Sequence, residues 1–454
     1  MSVEELRATI KALMPQAKSD LAELVAIKSV ADPKQFPPEE CAKAARWMID
    51  AFTAAGLSNV TAHPTPDGSE AIFGEARGPE GAPTVLLYCH YDVQPPVDDS
   101  AWTVPVWELT EKDGRWWGRG AADCKGNIVM HLTALRALGA GNFPVNIKLI
   151  AEGSEEQGTG GLEAFVPPNA ELLKADTILV CDTGNFAVGV PTLTTTLRGL
   201  ANVVVTLKTL RSPMHSGMFG GAAPDALAAM VALLATLRDA AGNTTIDGLD
   251  NTQSWDGADY SADQFRNDAN VLDGVELVGG GTPAEMLWAR PAITILGIDC
   301  PPVVGSSAAI QGEARARLNL RVPPGMTGSE AQDALVAHLK AHTPWGAKIE
   351  IEREAAGDPF VGVVSGPGYD ALKTALESAY NHPQTTEGQG GSIPLCNVFQ
   401  ETFPHAEIML MGVEEPLCLI HAPNESVDPT EIENMALAEA LFLRSYAQTA
   451  KRPS

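Results

Sequence analysis

Gly81-Ala-Pro-Thr84-Val-Leu-Leu-Tyr-Cys-His90-Tyr-Asp92-Val-Gln-Pro-Pro96 is the stretch on which the fold of this chain turns. An unbroken apolar run bounded by glycine and proline predicts a strand buried on both faces, as in a parallel sheet. Side chains alternate along a strand, so His90 and Asp92 project to the same side at its carboxyl end. Ligands of open α/β sheets gather at that edge. A neutral imidazole is a common metal ligand, and a carboxylate on its other ring nitrogen fixes its orientation. Taken alone, the pair reads equally as a strand end capped by two polar residues.

Strands and helices alternate around this stretch. Helical spacing covers residues 3–27 and 38–56, and short strands fall near 58–63 and 70–75. Gly114-Arg-Trp-Trp-Gly-Arg-Gly-Ala-Ala-Asp123-Cys-Lys-Gly126 leads into a helix over 127–139. The strand 145–152 then runs into Gly153-Ser-Glu155-Glu156, and the strand 177–181 ends at Asp182. This alternation predicts an α/β domain with a mostly parallel, doubly wound sheet. From residue 197 the pattern changes. Residues 200–207 and 314–322 alternate apolar and polar, as half-exposed antiparallel strands do, with helices at 223–239 and 329–342 between them. The expected organisation is a catalytic domain in two parts, 1–196 and 358–454, around an inserted α+β domain, 197–357, with a polar excursion at 240–290.

Composition narrows the function. The chain has 454 residues, with 57 acidic against 31 basic, for a formal charge of −26. Such a surface disfavours nucleic acid and anionic membranes as partners and favours cations. No signal peptide and no apolar run of membrane-spanning length is visible. Seven scattered cysteines without a C-x-x-C pair suit a reducing, cytoplasmic compartment.

Five segments end in acidic or imidazole groups: His90, Asp123, Glu155-Glu156, Asp182 and, near the carboxyl terminus, His421. Each has a plain alternative: Asp123 could cap the following helix, the glutamates could be solvated, and Asp182 could belong to a turn. Together they would crowd negative charge that only cations can offset. Imidazole plus carboxylate suits zinc, with manganese or cobalt as substitutes, and two ions can share one carboxylate. Adjacent glutamates could divide the work, one toward metal and one as general base.

In order and spacing, His90-Tyr-Asp92, Gly118-Arg-Gly-Ala-Ala-Asp123-x-Lys-Gly126, Glu155-Glu156, Asp182 and His421 resemble the M20 metallopeptidase family. The resemblance implies a dinuclear site, with His90 and Asp182 on one ion, Glu156 and His421 on the other, and Asp123 bridging. Glu155 would be the general base and Asp92 would orient His90. It further implies that the inserted domain is a lid and dimer interface. There His215, in Ser212-Pro-Met-His-Ser-Gly217, would reach a partner subunit's site in a homodimer. Arg321 and the loop Gly390-Gly391-Ser392 would hold the substrate carboxylate. Where the family often has an arginine two residues before that glycine pair, this chain has Gly388. Aspartate at 182, with the long excursion, resembles the dipeptidase and carnosinase branch. The implied substrate is therefore a dipeptide or short peptide with a free carboxylate, and the alternative is an N-acyl amino acid cleaved by a deacylase.

Overall fold

The protein is described by a computed structural model over residues 1–449. In chain order it runs through α1 (Val3–Ala26), α2 (Glu39–Ala54), β1 (Ser58–Pro64), β2 (Glu70–Ala76), β3 (Thr84–His90), α3 (Lys125–Leu138), β4 (Asn146–Glu152), β5 (Thr177–Cys181) and β6 (Thr192–Leu197). It continues with β7 (Gly199–Lys208), α4 (Ala226–Ala235), β8 (Ala292–Asp299), β9 (Glu313–Val322), α5 (Gly328–Ala341), β10 (Lys348–Gly357), α6 (Pro367–Tyr380), β11 (Glu407–Met411) and α7 (Pro429–Thr449). No described helix is long and apolar enough to cross a membrane. The described chain divides into two compact units, residues 1–195, 362–387 and 395–449 in one, and 196–361 with 388–394 in the other.

The first unit is built on a sheet of order β1-β2-β4-β3-β5-β11-β6. Its four middle strands, β4, β3, β5 and β11, are parallel, and the strands outside them are antiparallel. The sheet is thus mixed, with parallel pairing confined to its centre. Val85, Leu87 and Cys89 of β3 join the core that α1, α3 and α7 cover, while Leu86 and Tyr88 are buried on the opposite face. That two-sided burial is why β3 reads as a continuous apolar run. Because the middle strands point the same way, their carboxyl ends fall along one edge. There β3 delivers His90, β4 leads to Glu155 and Glu156, β5 leads to Asp182, and β11 leads to Glu414.

The second unit holds a four-stranded antiparallel sheet of order β8-β9-β7-β10. On β9, Ala314, Ala316, Leu318, Leu320 and Val322 are buried in a core with α4 and α5, whereas Glu313, Arg315 and Arg317 are exposed. The period of two in the sequence is therefore one face packed on helices. The excursion over 240–290 forms no strand of this sheet. It condenses around Trp288, which stacks on Tyr260 and meets Trp255 edge-on at a centroid distance of 5.2 Å.

Candidate metal centre

All seven side chains that the sequence selects at the sheet edge come together in the first unit. The peptide carbonyl of Asp92 lies 3.0 Å from His90 Nδ1. A carbonyl only accepts, so Nδ1 carries the proton and the Nε2 lone pair is left to face the site. Nε2 lies 2.9 Å from Asp123 Oδ1 and 3.1 Å from Asp182 Oδ1. On the other side, His421 Nε2 lies 3.0 Å from Asp123 Oδ2 and 3.1 Å from Glu156 Oε2. Asp123 therefore turns one carboxylate oxygen to each histidine. The alternative of a helix cap is not its role, since Cys124 stands at the N-cap of α3 without a side-chain hydrogen bond.

The carboxylate of Asp92 does something the sequence did not suggest. Its Oδ1 stands 3.4 Å from His90 Nδ1, and the shorter contacts run elsewhere. Oδ1 accepts from the Glu155 N–H and Oδ2 from the Glu156 N–H, both at 3.1 Å. Asp92 thus orients His90 chiefly through its own carbonyl and fixes the two glutamates through its side chain. Gln94 holds Glu156 further, its N–H 3.1 Å from Oε1 and its Nε2 2.8 Å from Oε2.

The electrostatics describe a shortage of positive charge. Burial, and then the charge of Asp182, pushes Glu155 well above the usual carboxylate range. Burial, and then Asp123, brings Glu156 to about 7. Hydrogen bonds to Asp123 and Glu156 raise His421 to about 11. These are groups that a divalent cation would return to their ionised carboxylate and neutral imidazole forms. His90, Asp123 and Glu156 each offer a ligand atom within 4.8 Å of the others, and so do Asp123, Asp182 and Glu414.

Three features escaped the sequence reading. Glu414 follows β11, donates a ligand atom to the cluster just described, and is pushed well above its ordinary value by burial and by Asp123. Its signal was available: like Asp182, it lies just beyond an apolar strand. Cys124 stands at the N-cap of α3 rather than on a strand, and its thiol lies within 4.8 Å of His90 and Asp182 donors. Glu425 is fully buried and accepts from Arg119 Nη1 and the Gly120 N–H at 2.8 Å each, the Ala122 N–H at 3.0 Å and the Asp123 N–H at 3.1 Å. It clamps the segment that presents Asp123, across some 300 residues of sequence.

Over residues 86–445 the sequence matches peptidase family M20/M25/M40. The chain belongs to this family. It is 44% identical to the cysteinylglycine-S-conjugate dipeptidase of Corynebacterium striatum over 443 residues, which is 96% of this chain and 97% of that protein. It is 28% identical to the Beta-Ala-His dipeptidase of Homo sapiens over 404 residues, covering 83% of this chain and 79% of that one. Among solved structures, human carnosine dipeptidase 1 matches with a TM-score of 0.81 over 99% of both chains, at 25% identity.

The remaining selected residues of this M20 peptidase lie in its second unit. His215 is exposed on a two-residue strand paired with Ala309–Ile310, and its Nδ1 accepts from the Gly217 N–H at 3.1 Å. Arg321, on β9, is half-buried, as is Ser392, and Gly391 is exposed. Gly388 explains its own departure from the family habit. A Cβ there would come within 2.6 Å of Thr196 Oγ1 and 2.7 Å of Trp288 Cβ, so no side chain fits. A further cation, Arg198, was not selected. It is 7% exposed, and its Nε and Nη1 have no partner among the described residues. Burial, and then the charge of Arg321, brings it down to about 10. Two neighbouring guanidiniums, one buried and unpaired, make a setting that favours an anion.

Proposed function

We propose that this metal-dependent dipeptidase holds two divalent cations on either side of Asp123 and cleaves a dipeptide's amide bond with Glu155 as proton carrier. One observation carries the reading: Asp123 faces His90 with one oxygen and His421 with the other, and Asp182 and Glu156 complete two matching halves. Histidine and carboxylate donors fit zinc, with manganese or cobalt as substitutes. Their 2.9–3.1 Å separations approach the spacing of about 3.3 Å between neighbouring ligands around a tetrahedral ion with bonds of about 2.0–2.1 Å. When bound, the ions would polarise the scissile carbonyl and acidify the attacking water.

The chain's own groups then move the proton. Glu155 takes it from the water as the water oxygen attacks the carbonyl carbon, and passes it to the amine nitrogen as the C–N bond breaks. Between the two events the Glu155 carboxyl carries the proton. Asp92 supports this role by fixing the Glu155 and Glu156 amides, so the carboxylates cannot drift apart. Glu414 offers a further carboxylate oxygen beside Asp123 and Asp182.

In the second unit, Arg321, Gly391 and Ser392 are assigned to the carboxylate of the peptide, with Arg198 as an additional anchor. His215 would donate to the oxyanion from a partner subunit. A homodimer is supported by β8, an edge strand on which Ile295, Leu296 and Ile298 are 44%, 56% and 38% exposed. Seven free cysteines, five of them buried, support a reducing, cytoplasmic setting. The names of the relatives support dipeptides over N-acyl amino acids. The test is zinc-loaded protein assayed on both substrate classes, beside Glu155→Gln. The variant should keep its metal while turnover on dipeptides falls by about two orders of magnitude or more. Near-normal turnover would move the base to another residue, and a preference for N-acyl amino acids would overturn the substrate class.

A further inference from the structure

The connection between β1 and β2, Thr65-Pro66-Asp67-Gly68-Ser69, has the composition of an ordinary tight turn. It is closed by the Gly68 N–H on the Thr65 carbonyl and the Thr65 N–H on the Ser69 carbonyl, both at 3.0 Å. Asp67 serves this turn with one oxygen only. Oδ1 accepts from the Ser69 N–H at 3.0 Å, from Ser69 Oγ at 2.9 Å and from Thr65 Oγ1 at 2.6 Å. Oδ2 is left for the loop that follows β4, where it accepts from Ser154 Oγ at 2.6 Å and from Thr159 Oγ1.

Ser154 and Thr159 bracket Glu155-Glu156. Ser154 is 4% exposed and immediately precedes Glu155, and its Oγ also stands 3.0 Å from Ser69 Oγ. Thr159 comes after the left-handed Gly158 that ends the short turn Glu155–Gln157. The next helix starts against the same carboxylate: a Cβ on Gly161 would lie 2.5 Å from both Asp67 oxygens, so only glycine fits. Partial burial works against the charge of Asp67, but the hydroxyls of Ser154, Thr159 and Thr65 outweigh it and hold the carboxyl below its ordinary range. The loop is thus tied twice. Asp92 holds the Glu155 and Glu156 N–H groups, and Asp67 holds the hydroxyls at both ends of the segment. The Glu156 carboxylate has its own anchor in Gln94. No hydrogen bond holds the Glu155 carboxylate among the described residues, so its place depends on where the backbone carries it.

We propose that Asp67 is a positioning residue for the hydrolysis, tying Ser154 and Thr159 so that the backbone presents Glu155 to the attacking water. The role rests on Glu155 as the proton carrier. It also separates the two glutamates: without the tie the base is misplaced, while Asp92 and Gln94 keep Glu156 beside His421. In the metal-loaded, full-length protein, Asp67→Ala should lower kcat on dipeptides by about 10–100-fold, with KM and bound metal within about twofold of the parent. Asp67→Asn keeps the shape, guards against a variant that fails to fold, and should show the same split to a smaller degree. Thr159→Ser keeps a hydroxyl and should turn over several-fold faster than Thr159→Val. Adding Asp67→Ala to Glu155→Gln should cost less than about threefold in turnover, because no base is left to place. An equal loss in both backgrounds, a kcat unchanged by Asp67→Ala, or a loss of metal parallel to the loss of turnover would overturn the proposal. Hydrogen exchange of the Glu155 and Glu156 amides reads the tie without reference to the base, and it should quicken in both Asp67 variants. Unchanged exchange would refute the tie itself, whereas near-normal turnover of Glu155→Gln alone would remove the proton carrier and with it the catalytic purpose of the tie.

Discussion

Glu425→Gln is the perturbation whose cost follows most directly from the structure. The carboxylate is fully buried and accepts four hydrogen bonds, two on each oxygen, from Arg119, Gly120, Ala122 and Asp123. A glutamine keeps the shape but offers one acceptor oxygen. Its amide nitrogen must face either the Arg119 and Gly120 donors or the Ala122 and Asp123 N–H groups. Two charge-assisted bonds are then lost, at about 1.5–3 kcal/mol each, and Arg119 loses its counter-charge. The expected destabilisation is about 3–5 kcal/mol, the range for removing one partner of a buried ion pair. Urea unfolding in excess chelator isolates this cost from metal linkage. Glu111→Gln serves as the contrast, because its ion pair with Lys18 is solvent-exposed and should be worth less than about 1 kcal/mol. With its amide nitrogen toward Ala122 and Asp123, the glutamine of Glu425→Gln also leaves the Asp123 N–H without an acceptor, so metal affinity should fall by about 10–100-fold, as for other residues that orient ligands. A Glu425→Gln protein within about 1 kcal/mol of the parent in chelator, with unchanged metal affinity, would refute the clamp.

Two other outcomes follow from the same geometry. Asp123→Ala removes the oxygens that face both histidines, so the purified variant should lose at least one tightly bound divalent ion by metal analysis; full occupancy with activity would defeat the bridging role. Mixing inactive Glu155→Gln and His215→Ala proteins under conditions of proven subunit exchange should restore part of the activity, since one site of the mixed dimer would carry neither defect. No recovery, or a fully active monomer, would remove His215 from a partner's site.

The sequence by itself determined that the middle of the sheet is α/β and parallel. A strand buried on both faces must be apolar throughout, and Thr84–Cys89 has no other use for such a run. It also determined which polar groups meet, because parallel strands carry their terminal residues to one edge: His90, Glu155-Glu156 and Asp182 are each read directly from where an apolar run stops. What it left open was how those groups are held. Asp92 orients His90 through a carbonyl that every residue possesses, and no side-chain pattern announces that. Glu425 serves Asp123 from some 300 residues away, and Cys124 enters the site only because the chain turns before α3 begins. Arg198 looks like any strand-end arginine until burial leaves its Nε and Nη1 unpaired beside Arg321. Asp67 reads as an ordinary turn residue, and only the fold sets its second oxygen against Ser154 and Thr159. Strand burial and periodicity are local and leave their mark in neighbouring residues. Hydrogen bonds between distant segments depend on where the chain returns, and that is fixed only when the core packs.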